Sequence, residues 1–389
     1  MNHILPFALM FLACLAPVAA QNTATLKERP TQVTPSIGKL DPEMADAKKA
    51  DDGLVWHDVT TWGVEGRILP DQDRQRWFDR FPGSADGKVT DRVWSLSRDS
   101  AGMMVRFKTD ATAIHVHYKL MDANLAMPHM PATGVSGIDL YARDEKGKWR
   151  WVQVTKPNSQ EVKVQLVSGL ADGFREFAAY LPLYNGVEFL SIGVSPESNF
   201  QTLSPRPKPI VFYGTSITHG ACASRPGMVH TAILGRWFDM PVVNLGFSGN
   251  GKMDAAVGDY LTQIDAAVYV IDCLPNMNAK MVSEKCVPLV KQIRQQKPET
   301  PIVLVEDRRN TNSWIMPARD AHHTANHAAL RKAYQTLKSE SVAHLYYIPG
   351  DALYGTDGDG ATDGSHASDL GFMRQAEIFE PVLREAMGK

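Results

Sequence analysis

The sequence predicts an α/β chain: a flavodoxin-like, doubly wound parallel five-stranded sheet, preceded by an antiparallel β-sandwich of jelly-roll-like build. Three observations predict it. From Leu54 to about Val194 the hydrophobic signal has period two, and no long amphipathic helix interrupts it. Residues 196–208, PESNFQTLSPRPK, are rich in proline and serine and read as a connector. From Pro209 onward, short runs that are apolar throughout alternate with helical periodicity, the pattern of parallel strands covered on both faces. A length of 389 residues suits two domains. Hydrophobic residues at 44% and charged residues at 22% allow a sizeable core. Lys+Arg 41 against Asp+Glu 43 leaves a net charge of -2, and no basic run interleaves with aromatics, so no nucleic-acid partner is expected.

Residues 1–20 carry no Asp, Glu, Lys or Arg, and Val18-Ala19-Ala20 suits signal peptidase, so they read as a signal peptide cut after Ala20. Two prolines and the short apolar run argue against a membrane anchor, and no span is expected after cleavage. The mature chain is thus expected to be exported, periplasmic or secreted. Residues 21–52 are polar and read as a leader. Residues 53–195 form the expected sandwich. Ile114, Val116, Tyr118 and Leu120 alternate with His115, His117 and Lys119, which places the first set inward and the second outward. Val105 and Phe107, residues 137–141 (GIDLY), 149–152 (WRWV), 162–167, 176–182 and 187–194 give the other strands, and Trp149 and Trp151, on one face of their strand, are expected to pack in the core, with a sugar-stacking platform as the alternative. Residues 209–389 form the expected parallel-sheet domain. Its strands fall at 210–213, 242–245, 267–271, 302–305 and 345–348, and its helices near 226–238, 253–264, 281–297, 320–341 and 369–387. Cys222, Cys273 and Cys286 remain after cleavage, an odd count with no CxxC spacing. That excludes a disulfide scaffold and a zinc knuckle but leaves any pairing open.

In such sheets, ligands gather at the carboxyl ends of the strands. Four segments there carry polar chemistry. GTSIT after the first strand offers Ser216 in a tight turn at a helix start, where negative charge is favoured. NLGFSGNG after the second supplies glycines whose backbone N–H groups can approach an oxyanion, Gly249 among them. Asn276, after the third, can donate its side-chain amide to the same charge. DGSH before the last helix puts Asp363 three residues ahead of His366, close enough to hold the ring from below. Each segment alone reads as a cap or a loop. Together they supply a nucleophile, oxyanion donors and an orienting carboxylate–imidazole pair on one rim. There is no G-x-S-x-G elbow, GxGxxG or GxxxxGK[ST], so a usual α/β-hydrolase, a dinucleotide site and a P-loop are all unsupported.

The order GTSIT, NLGFSG, Asn276 and DGSH resembles the SGNH, or GDSL-type, hydrolases over residues 209–387. With GIDLY and the KWRWV strand, the chain resembles the two-domain esterases of that superfamily that carry an N-terminal "GxDLY" module. It departs from the pattern in having GTSIT for GDSL and Met277 after Asn276. The resemblance implies catalysis by Ser216, His366 and Asp363, with an oxyanion hole from the N–H groups of Ser216 and Gly249 and the Asn276 amide, and no cofactor. It also implies an acylated carbohydrate, preferably O-acetylated, as substrate. A lipid acyl ester or thioester is the enzymatic alternative, and a glycan-binding protein on an inactive scaffold is the alternative of another class. Arg225, Arg308 and Arg309 lie near the rim and are candidates for substrate contact. His322, His323 and His327 include an i, i+4 pair but no HExxH motif, so they read as a solvated helix face or a pocket lid rather than a metal site.

Overall fold

The computed structural model describes residues 36–45, 48–51 and 53–389, so the expected signal peptide and the first part of the leader lie outside the described residues. The chain separates into two compact units, residues 1–46 and 47–389. In the first, a short helix α1 (Ile37–Leu40) is followed by a 3-10 turn at Pro42–Met44. The second unit holds every remaining element.

Nine antiparallel strands make the sandwich: β1 (Val55–Asp58), β2 (Met104–Thr109), β3 (Ala113–Leu120), β4 (Asp139–Arg143), β5 (Trp149–Val154), β6 (Glu161–Ser168), β7 (Arg175–Tyr180), β8 (Val187–Val194) and β9 (Phe200–Leu203). One sheet runs β1-β8-β3-β6, the other β5-β4-β7-β2-β9. Alternate residues of both sheets, among them Phe107, Val116, Tyr118, Leu140, Phe177 and Leu190, meet in one core. Two short helices, α2 (Asp91–Leu96) and α3 (Ala132–Val135), interrupt the strand sequence.

Three expectations are corrected here. Part of the expected connector is strand β9, which pairs with β2 from Arg106↔Leu203 to Thr109↔Phe200. A single aromatic, Phe200, stacks on Phe107 with ring centroids 5.2 Å apart, and one residue gives no periodicity to read. His115 faces away from the core as period two requires, yet it is 2% exposed because residues 48–51 lie over that face, with Asp51 3.6 Å from its Nε2. Trp151 is not a core residue, whereas Trp149 is half-buried against a small cluster of Met104, Tyr141, Ala178 and Tyr180. Strand β5 is an edge, and Trp151 is 47% exposed.

The parallel sheet comprises β10 (Ile210–Gly214), β11 (Val242–Gly246), β12 (Val268–Asp272), β13 (Ile302–Val305) and β14 (Leu345–Ile348), in the order β11-β10-β12-β13-β14. Gly214 pairs with both Gly246 and Asp272, so three strands end at one level. The helices are α4 (Ser216–His219), α5 (His230–Phe238), α6 (Ala255–Leu261), α7 (Ala279–Gln296), α8 (Pro317–Ser339) and α9 (Asp369–Met387). Successive strand residues alternate between faces. Tyr213, Leu245 and Ile271 pack under α6, α7 and α8, whereas Phe212, Val270 and Val303 pack under α5 and α9.

The stretch between β1 and β2 packs into the parallel-sheet core: Phe81 stacks on Phe247 at 5.6 Å and reaches Tyr260 at 5.2 Å, and Trp94 joins the same cluster. Burying a Phe side chain stabilises by about 1.5–3 kcal/mol. The wholly buried Arg80 donates to the carbonyls of Asn244 at 2.8 Å and Gly246 at 3.1 Å, at the carboxyl end of β11. Cys222, Cys273 and Cys286 are all buried and unpaired.

Candidate active site

Ser216 opens α4 immediately after β10. Thr215 caps that helix, its hydroxyl accepting from the Ile217 N–H, so the Ser216 side chain is left free of capping duty. The Ser216 hydroxyl lies 2.8 Å from His366 Nε2. On the far side of the ring, Nδ1 donates to Asp363 Oδ2 at 2.7 Å. A carboxylate can only accept, so Nδ1 carries the proton and Nε2 presents its lone pair to the serine. Asp363 Oδ1 accepts from the N–H groups of Ser365 at 2.9 Å and His366 at 2.7 Å. Burial pushes the Asp363 carboxyl up, but these N–H groups and the imidazole outweigh it and hold it down to about 2. The turn is possible because Gly364 has φ of 87°, and it is pinned by the Thr311 N–H donating to the Gly364 carbonyl at 2.9 Å.

The loop after β11 comes close to Ser216. A side chain at Gly251 would place its Cβ 1.9 Å from the Gly214 carbonyl, so only glycine lets this loop reach the end of β10. Gly249 takes φ of 69°, which aligns successive backbone N–H groups as a nest. The Asn276 amide is assigned with its oxygen toward that nest, accepting from Asn250 N–H at 3.1 Å, Gly251 at 3.2 Å and Gly249 at 3.3 Å. Its Nδ2 is thereby turned away from the nest as a donor. Met277, which departs from the family pattern, is buried and offers its carbonyl to Asn326 Nδ2 at 3.0 Å, while Asn278 caps α7. The residues around Asn276 therefore have partners without the missing carboxylate.

Two residues of the sandwich segment that sequence reasoning missed reach this rim. The Tyr184 hydroxyl lies 2.6 Å from Ser248 Oγ and donates to the Ser216 carbonyl at 3.3 Å, and its ring stacks on His219 at 4.1 Å. The other is Arg80, described above. Neither has a local signature, because both partners are distant in sequence. The exposed His129, before β4, brings its ring within 6.3 Å of His366.

The three candidate arginines have other tasks. Arg308 is buried and forms a bidentate pair with Asp272 (Nη2 to Oδ2 at 2.7 Å), while its Nε donates to Gln375 at 2.7 Å, so it cannot meet substrate. Arg225 donates to Asp139 Oδ2 at 3.0 Å and to the Tyr141 hydroxyl. Asp139 also accepts from the Gly227 N–H at 2.7 Å and from Trp151 Nε1 at 2.9 Å. The acid of GIDLY thus fastens the sandwich to the loop that follows the Ser216 helix. Arg309 is held by Asp351 and Asp320, both at 2.7 Å, beside a cavity of about 550 Å³ that also holds Trp314.

His322 is exposed as expected of a solvated face, but His323 and His327 are buried, and that reading is corrected for both. The end of β13 supplies Glu306 and Asp307 above them. His323 Nε2 accepts from the Asn310 N–H at 3.2 Å, so its Nδ1 bears the proton it shares with Asp307 at 2.7 Å and has no lone pair for a metal. His327 stands 3.2 Å from Glu306 and 2.7 Å from Asp307. Burial opposes its charge, but the two acids prevail and raise its pKa. A second group of possible ligands, Cys222, Asp363 and His366, overlaps the hydrogen-bonded pair itself.

Comparison with known proteins covers the same ground. The model of the GDSL-like lipase/acylhydrolase family matches residues 207–384, and that of the GxDLY N-terminus of SGNH-hydrolase-type esterases matches residues 54–200. No protein of curated function matches in sequence. A crystal structure of a candidate GDSL-like lipase from Bacteroides ovatus is 30% identical, with a TM-score of 0.81 over 86% of this chain and 98% of that one. A salicylyl-acyltransferase from a tetracycline biosynthetic pathway is 17% identical, with a TM-score of 0.69 over 86% and 98%. A family two carbohydrate esterase from Cellvibrio japonicus is 14% identical, with a TM-score of 0.55 over 86% and 98%.

Proposed function

Because the chain belongs to the GDSL-like lipase/acylhydrolase family and is a carboxylic ester hydrolase, we propose that it is an exported serine esterase that removes O-acyl groups, above all O-acetyl, from carbohydrate. The observation that carries the mechanism is the continuous hydrogen-bonded line from Ser216 through His366 to Asp363, at 2.8 and 2.7 Å. Ser216 Oγ attacks the ester carbonyl as His366 Nε2 takes its proton. Asp363 stabilises the imidazolium that forms. The oxyanion is met by the Ser216 N–H and by Asn276 Nδ2, and by the Gly249 N–H, which at rest is shared with Asn276 Oδ1 at 3.3 Å. His366 returns the proton to the leaving alcohol, and water repeats the sequence on the acyl-enzyme. These steps need no metal or organic cofactor.

Support for carbohydrate comes from the carbohydrate esterases among its fold neighbours and from the appended sandwich. Support for export comes from residues 1–20, and among the described residues no helix is long and apolar enough to cross a membrane. One observation favours a lipid acyl ester instead: Trp314, Ile315 and Met316, 82%, 63% and 39% exposed, follow the segment hydrogen-bonded to the Asp363–His366 turn. The test is mass spectrometry of acids released from acetylated polysaccharides and from lipids of graded chain length. Acetate from the polysaccharides is expected. Release confined to long-chain lipids would replace the carbohydrate reading with the lipid one.

A further inference from the structure

The edge strand β5 and helices α5 and α9 enclose a groove of about 670 Å³ that is separate from Ser216. Its walls come from both sheet systems: Trp149 and Trp151 from β5, Trp237 from α5 and Arg384 from α9. Trp151 and Trp237 are 47% and 40% exposed, a large apolar area for a water-facing wall. Trp149 and Trp151 are two apart and so lie on one side of their strand. Flat indole faces with a polar edge suit the apolar faces of sugar rings.

The charge of the lining is one-sided. Six cations, Arg143, Lys148, Arg150, Arg225, Arg236 and Arg384, face two acids, Asp239 and Glu380, in a chain whose net charge is -2. Most of these arginines are held by carboxylates: Arg225 by Asp139, Arg150 by Asp144, Arg384 by Glu380, and Arg143 by Glu176 and Asp239. Arg236 is not free for a ligand either: it donates to the Gly227 carbonyl, stands 4.1 Å over Tyr141 and bonds the Tyr180 hydroxyl, with its Nη1 buried. One lining cation is not so held. Lys148 is exposed and, among the described residues, has no carboxylate partner. Arg225 and Met373 of the lining lie on segments that also bear Ser224 and Asp369, and the Ser224 N–H donates to Asp369 Oδ1 at 3.0 Å.

We infer that this groove binds an acidic oligosaccharide, a chain bearing sugar carboxylates, with indoles stacking on the rings and the exposed Lys148 meeting a carboxylate. The link from this bound chain to an ester at Ser216 rests on the carbohydrate reading above; binding itself does not.

The test uses the full chain carrying Ser216→Ala, so that nothing is turned over. Calorimetry compares an oligogalacturonate of about six sugars with a neutral xylo-oligosaccharide of the same length. The acidic chain is expected to bind at least tenfold tighter, and to weaken with added salt. An exposed charge pair is worth about 1 kcal/mol, so Lys148→Ala should weaken binding about fivefold. Trp237→Ala should weaken it by at least as much. With Ser216 restored, both substitutions should leave hydrolysis of a small aryl acetate unchanged, which verifies that the variants fold. Equal binding of the neutral chain, no binding of the acidic one, or binding indifferent to both substitutions would overturn the inference. Loss of esterase activity on every carbohydrate, with acidic binding intact, would remove the function proposed above and leave the groove.

Discussion

A serine hydroxyl at neutral pH is a poor nucleophile, and at Ser216 the groups that improve it lie within two hydrogen bonds. Ser216→Ala removes the covalent route, so kcat should fall by about 10⁴-fold or more. Asn276→Ala removes one oxyanion donor and should cost about 10²–10³-fold, mostly in kcat. A rise in KM with kcat intact would make Asn276 a substrate-binding residue instead. The Asp363 carboxyl, held down to about 2, keeps its charge at every pH above that. Its stabilising interaction is present above the ordinary carboxyl range and is lost only as pH falls through about 2. A carboxyl ionisation from Asp363 on the acid limb of kcat/KM within the assayed range would therefore contradict the arrangement. Tyr184→Phe deletes two neutral hydrogen bonds, to Ser248 and to the Ser216 carbonyl, each of about 0.5–1.5 kcal/mol. It should lower kcat several-fold at constant KM, whereas an unchanged kcat would make Tyr184 a packing residue only. Ser216, Asp363 and His366 were legible as candidates because each sits in a short local motif, GTSIT at the end of β10 and DGSH just before α9. Tyr184 and Arg80 were not, because their partners lie 64 and 164 residues away.

At the scale of elements, the ends of β12 and β13 are tied beneath the rim by the buried Arg308–Asp272 pair and by the Asp307–His327 contact of α8. Arg308→Met leaves a buried, unpaired carboxylate, and such a loss costs about 3–5 kcal/mol. Urea unfolding should show it, and pairing Arg308→Met with Asp272→Leu should recover much of the loss. Asp307 is pushed up by burial but held down to about 2 by the two imidazoles. Its contribution is present above the ordinary carboxyl range and lost as pH falls toward 2. His327, raised by Glu306 and Asp307, contributes below the ordinary imidazole range, and that contribution is lost as pH rises through its elevated value. Thermal unfolding across pH should therefore show an alkaline loss that His327→Gln flattens; the same alkaline slope in both proteins would remove His327 from the account. Apolar runs and helical periodicity marked all five parallel strands and their long helices. The edge position of β5 left no trace in WRWV, since alternation gives a side chain's face but not whether a second layer covers it. Glu306-Asp307 next to a strand end, together with the His323/His327 spacing, was the available sign of a buried cluster.

For the whole molecule, the sandwich and the parallel sheet behave as one body in these contacts. Phe81 and Trp94 fill the core beside β11, Arg80 holds the carbonyls at its end, and Tyr184 reaches the loop that presents Gly249. Residues 205–389 expressed alone should be poorly soluble and weakly active even on a small aryl ester, because they expose Phe247 and Tyr260 and lose the Tyr184 contact. Full solubility with unchanged activity would make the sandwich an independent passenger. The central claim is that ester cleavage passes through an acyl group on Ser216. Intact-protein and peptide mass spectrometry of the full chain, after a fluorophosphonate and after quenching during turnover of an activated acetate, tests it most directly. The account predicts one adduct per chain, on the peptide that contains Ser216, and none in Ser216→Ala. An adduct on another residue, or turnover that persists in Ser216→Ala at the native rate, would contradict it.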